Sequence, residues 1–402
     1  MCQDKAEKRL NKNMKVVITG GGSGGHIYPA LAIADKIREK KPDAQIVYVG
    51  SKIGLESKIV PKNGYEFKAV PARWVDYHNS FLARMKEKFK AGCLTTAGVV
   101  KTFGMMRKLK PDVVIGTGGY VCAPVIIGAK LAGATAYIHE QNAFAGKTNR
   151  LLEPWVSKVF LGMKEASANF KDKKKVHVVG NPVRASFFDY SGEKGPELKE
   201  AAREKFFNGP VSSEETIILT FGGSQGSMII NNIAMEMVEN LHKHQNVRII
   251  FVTGAEFYQQ ISSLVKANWQ WEEDEEGRLR ILDNRVVVLP YIDEMDTAIG
   301  ASDLVIGRAG ALTIGEITAA GRGSVLIPMA MAKDNHQYYN ALVLANAGGA
   351  MLVEEKDIEN VRTAEEILTL ATDKEKVEAM GRKAASISNS EATEHICQLM
   401  FR

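Results

Sequence analysis

Cysteine is scarce. The four thiols in 402 residues, at positions 2, 93, 122 and 397, share no short spacing. Neither a disulfide framework nor a cysteine-ligated metal ribbon is therefore encoded, and the scatter suits a reducing compartment. Uninterrupted apolar spans are missing too. The charge-free stretch Val113–Ala129 is broken by Gly116, Gly118, Gly119 and Pro124, a strand–turn–helix pattern and not a membrane span. Asp-x-Asp occurs nowhere, so no metal or other cofactor is demanded, and the paired carboxylates of glycoside hydrolysis are not evident. Residues 1–13 are polar and charged without an apolar centre, which reads as a disordered leader and not a signal peptide.

What is present points to two domains, because 402 residues exceed one ordinary core. The net charge of +5 conceals an asymmetry: residues 1–185 carry 32 Lys and Arg against 14 Asp and Glu, the remainder 20 against 33. A basic half joined to an acidic half expects an anionic surface or ligand on one side only. Continuously apolar runs such as Val113-Val114-Ile115 suit parallel strands covered on both faces. Strands are expected near 15–19, 45–49, 66–70, 112–116, 135–139, 158–162 and 176–179. After a polar stretch, Ser191–Pro196, and a charged helix, Glu197–Phe207, the pattern restarts near 216–221, 248–253, 286–290, 304–307, 324–328 and 351–353. The fold class is α/β: two doubly wound Rossmann-like domains facing across a cleft, at 14–183 and 184–385, with a helix over 386–402. The acidic segment Trp269–Arg280 reads as an exposed, solvated excursion.

Each half opens with a glycine turn after its first strand. The first, Gly20 to Gly25 within TGGGSGGHIYPA, holds five glycines in six residues and leads into a helical pattern. Strand, glycine turn and helix together let backbone N–H groups face an anion. His26 follows at once, a side chain able to take a proton near neutral pH. The spacing also fits a dinucleotide fingerprint, but the second strand ends in Gly50-Ser51-Lys52 with no carboxylate for a ribose, which weakens a nicotinamide reading. The second turn, Phe221-Gly222-Gly223-Ser224-Gln225-Gly226, repeats the device.

Between Arg73 and Lys110 nine basic residues face only Asp76 and Glu87, with Phe81, Leu82, Met85, Phe89, Val99, Val100, Phe103 and Met106 at helical spacing. An amphipathic helix pair packed on the sheet would explain it. So would an interfacial patch on anionic lipid. No nucleic-acid module accompanies the charge, so nucleic acid is not expected as a partner. In the second half, Ile306 to Glu316 is again strand, turn and helix. Thr313 is expected to cap the helix, whose N-terminus suits a phosphate. Glu316 offers a carboxylate to paired ribose hydroxyls. Gln337, in Asp334-Asn335-His336-Gln337, offers donor and acceptor to a sugar.

TGGGSGGHIYPALAIA, GTGGYVCAP, HEQNAFAGKTNR, GNPVR, FGGSQGS, RAGALTIGEI and DNHQ, in this order and spacing, resemble the MurG family. These are the UDP-N-acetylglucosamine:undecaprenyl-pyrophosphoryl-MurNAc-pentapeptide N-acetylglucosaminyltransferases of peptidoglycan synthesis. The resemblance covers 14 to about 355 and implies a GT-B glycosyltransferase, peripheral on the cytoplasmic face of the bacterial inner membrane. It implies inverting transfer of GlcNAc from UDP-GlcNAc to the C4 hydroxyl of MurNAc in lipid I, giving lipid II, with other cell-wall synthesis proteins as partners. By the same resemblance, Arg184 and Ser224 would meet the diphosphate and Ile292 the uracil. Ala311, Leu312, Thr313, Ile314 and Gly315 would present a helix N-terminus, with Glu316 on the ribose and Gln337 on GlcNAc. Gly315 stands where some members have serine, removing one hydroxyl contact. Asn142, Ser23, Gly24 and Gly25 would close the donor site from the acceptor domain. His26 is the first choice of base, with Glu140 and Tyr120 in support. Transfer to diacylglycerol by a related GT-B enzyme, and a UDP-GlcNAc epimerase, remain alternatives.

Overall fold

The computed structural model describes residues 14–72, 81–223, 225–358 and 362–402, with the side chains of 81–91 and 333 left aside. The chain divides into two compact units, Met1–Val183 with Glu391–Arg402, and Arg184–Ser390.

The first unit is built on β1 (Lys15–Thr19), β2 (Gln45–Ser51), β3 (Glu66–Val70), β4 (Val113–Gly116), β5 (Thr135–Glu140), β6 (Lys158–Leu161) and β7 (Val176–Val178). Their order is β3-β2-β1-β4-β5-β6-β7, all parallel. Alternate residues of one strand feed two cores. Val17, Val47 and Val114 pack with Val125 and Ile126 of the helix Cys122–Leu131. Val16, Ile18, Tyr48 and Ile115 pack with Ile33 and Ile37 of the helix Gly24–Lys40. Burial on both faces is why these strands are apolar throughout.

The C-terminal helix, Ala392–Phe401, belongs to this first unit. Its Ile396, Cys397 and Met400 complete the second core. Tyr137 O–H donates to the Met400 carbonyl at 3.2 Å and Lys158 Nζ to that of Leu399 at 2.5 Å, covering helix-terminal acceptors that would otherwise lack partners. The unit therefore closes with the last residues of the chain and not at 183.

In the basic stretch the structure has one continuous helix, Phe81–Leu109, in place of a helix pair; Arg73 and Asp76 lie outside the described residues. Met106 is core, whereas Val100 and Phe103 are exposed beside exposed Lys101, Arg107 and Lys108. Among the described residues no helix is long and apolar enough to cross a membrane.

The second unit carries β8 (Thr216–Phe221), β9 (Val247–Val252), β10 (Trp271–Glu273), β11 (Leu279–Ile281), β12 (Val286–Leu289), β13 (Leu304–Gly307), β14 (Gly323–Leu326) and β15 (Ala350–Leu352). Their order is β10-β11-β12-β9-β8-β13-β14-β15. The six strands from β12 to β15 pair in parallel, and β10 and β11 add an antiparallel extension at one edge.

That extension corrects the reading of 269–280 as a solvated excursion. Glu272, Glu275 and Glu276 are exposed, but Leu279 and Ile281 are buried in the core. Asp274 sits at the turn, accepting from Arg278 Nε at 2.7 Å and Arg280 Nη2 at 2.7 Å. Burial pushes its pKa up, but the Arg278 N–H and the two guanidiniums outweigh it and hold the carboxyl down at about 2. Runs of acid hide a hairpin because one of the acids is its internal ion-pair anchor.

Asp274→Ala should lower unfolding free energy by roughly 2 kcal/mol at pH 7, since two buried guanidiniums lose their partner. With a native pKa below the unfolded value, the contribution is complete above about pH 4 and fades as pH falls towards 2. Urea titrations of both proteins at pH 7, 4 and 3 check this; a deficit equally large at pH 3 would remove the ionic explanation.

Candidate functional site

In the first unit, the chain leaves β1 towards β2 and β4 towards β5, so the loops after β1 and β4 flank the switch point at the carboxyl edge. They approach closely. Gly21 N–H donates to the Gly118 carbonyl at 3.3 Å. A Cβ on Gly119, at φ +85°, would lie 2.1 Å from the Gly21 carbonyl oxygen, and one on Gly118, at φ +113°, 2.8 Å from the His26 ring. Only glycine fits either position.

The first loop is not simply an anion cradle. Glu56, wholly buried, accepts from Gly22 N–H at 3.2 Å and Ser51 N–H at 2.9 Å. A protein carboxylate thus occupies part of the donor set that the glycines offer. No sequence signal marked Glu56, which lies 34 residues away. Ser23 is the extended N-cap of the helix Gly24–Lys40 and makes no side-chain cap bond. The Gly24 and Gly25 N–H groups take no hydrogen bond among the described residues.

His26 is half-buried in the first turn of that helix. Its Nδ1 lies 3.0 Å from the Thr117 carbonyl and 3.3 Å from Gln141 Oε1. A carbonyl only accepts, so Nδ1 carries the proton and Nε2 keeps its lone pair. Tyr120 stands near Gly22; burial raises its pKa, with a Ser51 hydrogen bond opposing, so the phenol is a donor near neutral pH and not a base.

Glu140 has a different role from the one expected. Buried at the end of β5, it accepts from Asn142 N–H (3.0 Å), Asn142 Nδ2 (2.9 Å), Gly146 N–H (2.9 Å) and Asn149 Nδ2 (2.9 Å). Four donors occupy both oxygens, so the carboxylate clamps the loop 141–149 and holds Asn142 rather than collecting a substrate proton.

In the second unit the equivalent loops follow β8 and β13. Ser224 lies outside the described residues. After β13, Gly310 is the extended N-cap of the helix Ala311–Ala319, again without a side-chain cap. Thr313 lies inside the first turn and does not cap. The N–H groups of Leu312 and Thr313 take no hydrogen bond among the described residues, and Ala311, Ile314 and Gly315 are buried behind them. Sequence reasoning passed over Arg308, which braces this turn by donating to Ser227 Oγ (2.8 Å), Glu355 Oε1 (2.5 Å) and the Ile327 carbonyl (3.1 Å).

Glu316, in the same helix, is half-buried, and its carboxylate takes no hydrogen bond among the described residues. Burial raises its pKa to about 8; Arg184 opposes the rise and Asp296 adds to it. Arg184 is exposed, at the N-cap of the helix Ala185–Asp189, with its guanidinium 5.1 Å from the Phe187 ring centre. Gln337 is more committed than expected. Its Oε1 accepts from Met329 N–H at 3.0 Å, leaving the amide NH₂ as the group it can offer. Asn340 Nδ2 donates to the Ala309 carbonyl at 3.2 Å, tying the helix His336–Asn346 to the β13 turn. Ile292 is buried three residues beyond β12. Ser23, Gly24, Gly25, His26 and Tyr120 thus gather in the first unit, and Arg184, Glu316 and the 311–315 helix start in the second.

Two family descriptions match in succession, the glycosyltransferase family 28 N-terminal domain over residues 16–161 and the family 28 C-terminal domain over 217–398. The chain is 38% identical over 383 residues to the UDP-N-acetylglucosamine–N-acetylmuramyl-(pentapeptide) pyrophosphoryl-undecaprenol N-acetylglucosamine transferase of Alkaliphilus metalliredigens, covering 95% of this chain and 97% of that one. It is 36% identical over 389 residues to the Acetivibrio thermocellus enzyme of that name, covering 96% and 97%. Among solved structures, Acinetobacter baumannii MurG shares the fold with TM-score 0.69 at 24% identity, covering 96% of this chain and 99% of that one. A UDP-N-acetylglucosamine 2-epimerase does so with TM-score 0.60 at 12% identity, covering 97% and 96%, so the fold alone does not separate transferase from epimerase. Near-complete alignment at well over 30% identity does: the chain belongs to glycosyltransferase family 28, among the N-acetylmuramyl-(pentapeptide) pyrophosphoryl-undecaprenol N-acetylglucosamine transferases.

Proposed function

We propose that the chain transfers GlcNAc from UDP-GlcNAc to the C4 hydroxyl of MurNAc in lipid I, with inversion, forming lipid II. The observation that carries the reading is His26, whose Nδ1–H donates to the Thr117 carbonyl, which makes Nε2 the basic nitrogen of the ring. Inverting transfer is one displacement at the anomeric carbon. His26 Nε2 takes the C4 hydroxyl proton, the hydroxyl oxygen bonds to carbon, and UDP leaves with the bonding pair. A positioned base contributes roughly 10²–10⁴-fold. Within the second unit, the N–H groups of Leu312 and Thr313, with Arg184 and Ser224, offset charge on the departing diphosphate. Glu316 receives the ribose hydroxyls, Ile292 the uracil, and the Gln337 amide a GlcNAc hydroxyl. Diacylglycerol transfer and epimerisation lose support because the near full-length relatives are named for the muramyl acceptor.

The acceptor's undecaprenyl chain requires work at a bilayer. Exposed Val100 and Phe103 beside Lys101, Arg107 and Lys108 fit peripheral association with anionic lipid on the cytoplasmic face, each basic residue adding about 1 kcal/mol.

Three outcomes are expected. Labelled GlcNAc should pass from UDP-GlcNAc to a lipid I analogue and not to diacylglycerol; isomerised GlcNAc without acceptor would overturn the transfer. His26→Ala should cut turnover by roughly 10²-fold or more while leaving UDP-GlcNAc affinity within a few-fold, by steady-state kinetics and calorimetry. Glu316→Gln should weaken donor binding yet raise stability at pH 8–9. An acid whose pKa is raised on folding destabilises the native state as pH climbs from the unfolded value, near 4.5, through about 8. The variant should therefore gain roughly 2 kcal/mol at pH 9 and little at pH 4, read by denaturation at both. Unchanged donor affinity would remove the ribose role.

A further inference from the structure

The Nδ1 side of His26 leads into a buried chain of hydrogen bonds that the proposed chemistry does not yet use. His139, on β5, is wholly buried and Gln141 is 2% exposed. His139 Nε2 lies 3.0 Å from the Gly180 carbonyl. That oxygen only accepts, so Nε2 carries the ring proton. Burial, against the Gly180 bond and the Glu140 charge, pulls the imidazole pKa down to about 4 and keeps the ring neutral. His139 Nδ1 is then an acceptor. Gln141 Nε2 donates to it at 3.1 Å, and also lies 3.3 Å from the His139 carbonyl. With the amide nitrogen committed on that side, Oε1 faces the other way, where His26 Nδ1 lies at 3.3 Å. Each link has one permitted direction: His26 donates to Gln141, Gln141 to His139, and His139 to the Gly180 carbonyl.

We propose that Gln141 and His139 are positioning residues: together they hold the His26 imidazole in its plane as the Nδ1–H tautomer, with Nε2 directed to the substrate hydroxyl. The proposal rests on His26 being the base. Thr117 alone would fix where the proton sits but would let the ring swing about a single bond; a second acceptor from another direction removes that freedom. The segment that anchors one end also holds the middle, since Asn181 Nδ2 donates to the Gln141 carbonyl at 3.1 Å. A buried histidine and glutamine add nothing to packing that a leucine would not supply, so their polarity calls for a directional role.

Two substitutions at 139 separate positioning from packing. His139→Asn keeps a short side chain able to accept from Gln141, whereas His139→Leu fills the cavity and removes the acceptor. Positioning ranks Asn above Leu in kcat, by about tenfold, with both KM values within about twofold. Packing ranks Leu level with or above Asn in kcat and in melting temperature, and that order would overturn the proposal. Gln141→Leu should lower kcat about tenfold with KM unchanged. In ¹⁵N-histidine spectra of the full chain, it should leave the Nδ1–H tautomer that Thr117 fixes but shift and broaden the His26 nitrogens, as the second acceptor is lost and the ring gains freedom. An unmoved His26 spectrum overturns the chain of bonds even if turnover falls. Full turnover in His26→Ala instead overturns the base, and the spectra still report on the chain.

Discussion

The close approach of Gly119 to Gly21 in the first unit sets the geometry around it. No side chain fits there, since an added Cβ would stand 2.1 Å from a carbonyl oxygen. The approach brings the loop after β4 against the first turn of the helix that follows β1. The Thr117 carbonyl consequently faces His26 Nδ1, and Thr117 Oγ1 donates to the His26 carbonyl at 2.7 Å. Tyr48 O–H donates to the Gly20 carbonyl from the neighbouring strand at 2.7 Å. A histidine one residue after a mobile glycine run would sample many orientations. Here the glycines are held, and the histidine with them.

The same topology is braced differently in the two units. Each places a glycine-containing turn between a strand and a helix at the carboxyl edge. In the first, Glu56 consumes the Gly22 and Ser51 N–H groups, so the turn is stiffened from inside by a negative charge. In the second, the turn after β13 is braced by Arg308 together with its ion-pair partner Glu355, and the Leu312 and Thr313 N–H groups at the helix start donate no hydrogen bond among the described residues. A carboxylate that accepts from a turn's N–H groups withdraws them from an anion, whereas a brace that is itself an ion pair does not. What braces each turn, more than its glycines, separates the one whose N–H groups are spent within the chain from the one whose helix start still offers them.

Much of this was legible. Runs such as Val113-Val114-Ile115 can only be strands covered on both faces, and the repeated strand–glycine–helix pattern located both carboxyl edges. Local features of candidate chemistry, His26 and Glu316 among them, stand out by residue type alone. What escaped was the pairing between distant groups. Glu56 reaches Gly22 across 34 residues. The acids near 274 look solvated until Arg278 and Arg280 fold back on one of them. Glu140 looked catalytic because a carboxylate in HEQN has the right chemistry; its four backbone and amide donors become visible only when the loop 141–149 is seen to wrap it. Thr313 failed as a cap for a similar reason, since the helix starts at Gly310 and the hydroxyl arrives a turn late. The C-terminal helix carries no label in the sequence saying which core it closes.

All members of the chain from Gly180 to His26 lie in the first unit, and the unpaired carboxylate with its open helix start lies in the second. In the proposed reaction each half thus brings groups positioned by contacts within its own unit. Organisation made during folding costs nothing at the moment of transfer, because the dipoles are already aimed where charge will develop. The two halves differ in what that preparation costs. The imidazole is held by satisfied hydrogen bonds, so its order is compatible with stability. Glu316 accepts no hydrogen bond among the described residues, and the cost of its burial, only partly offset by Arg184, opposes folding. The ribose hydroxyls proposed for this site would supply the donors that the described residues do not.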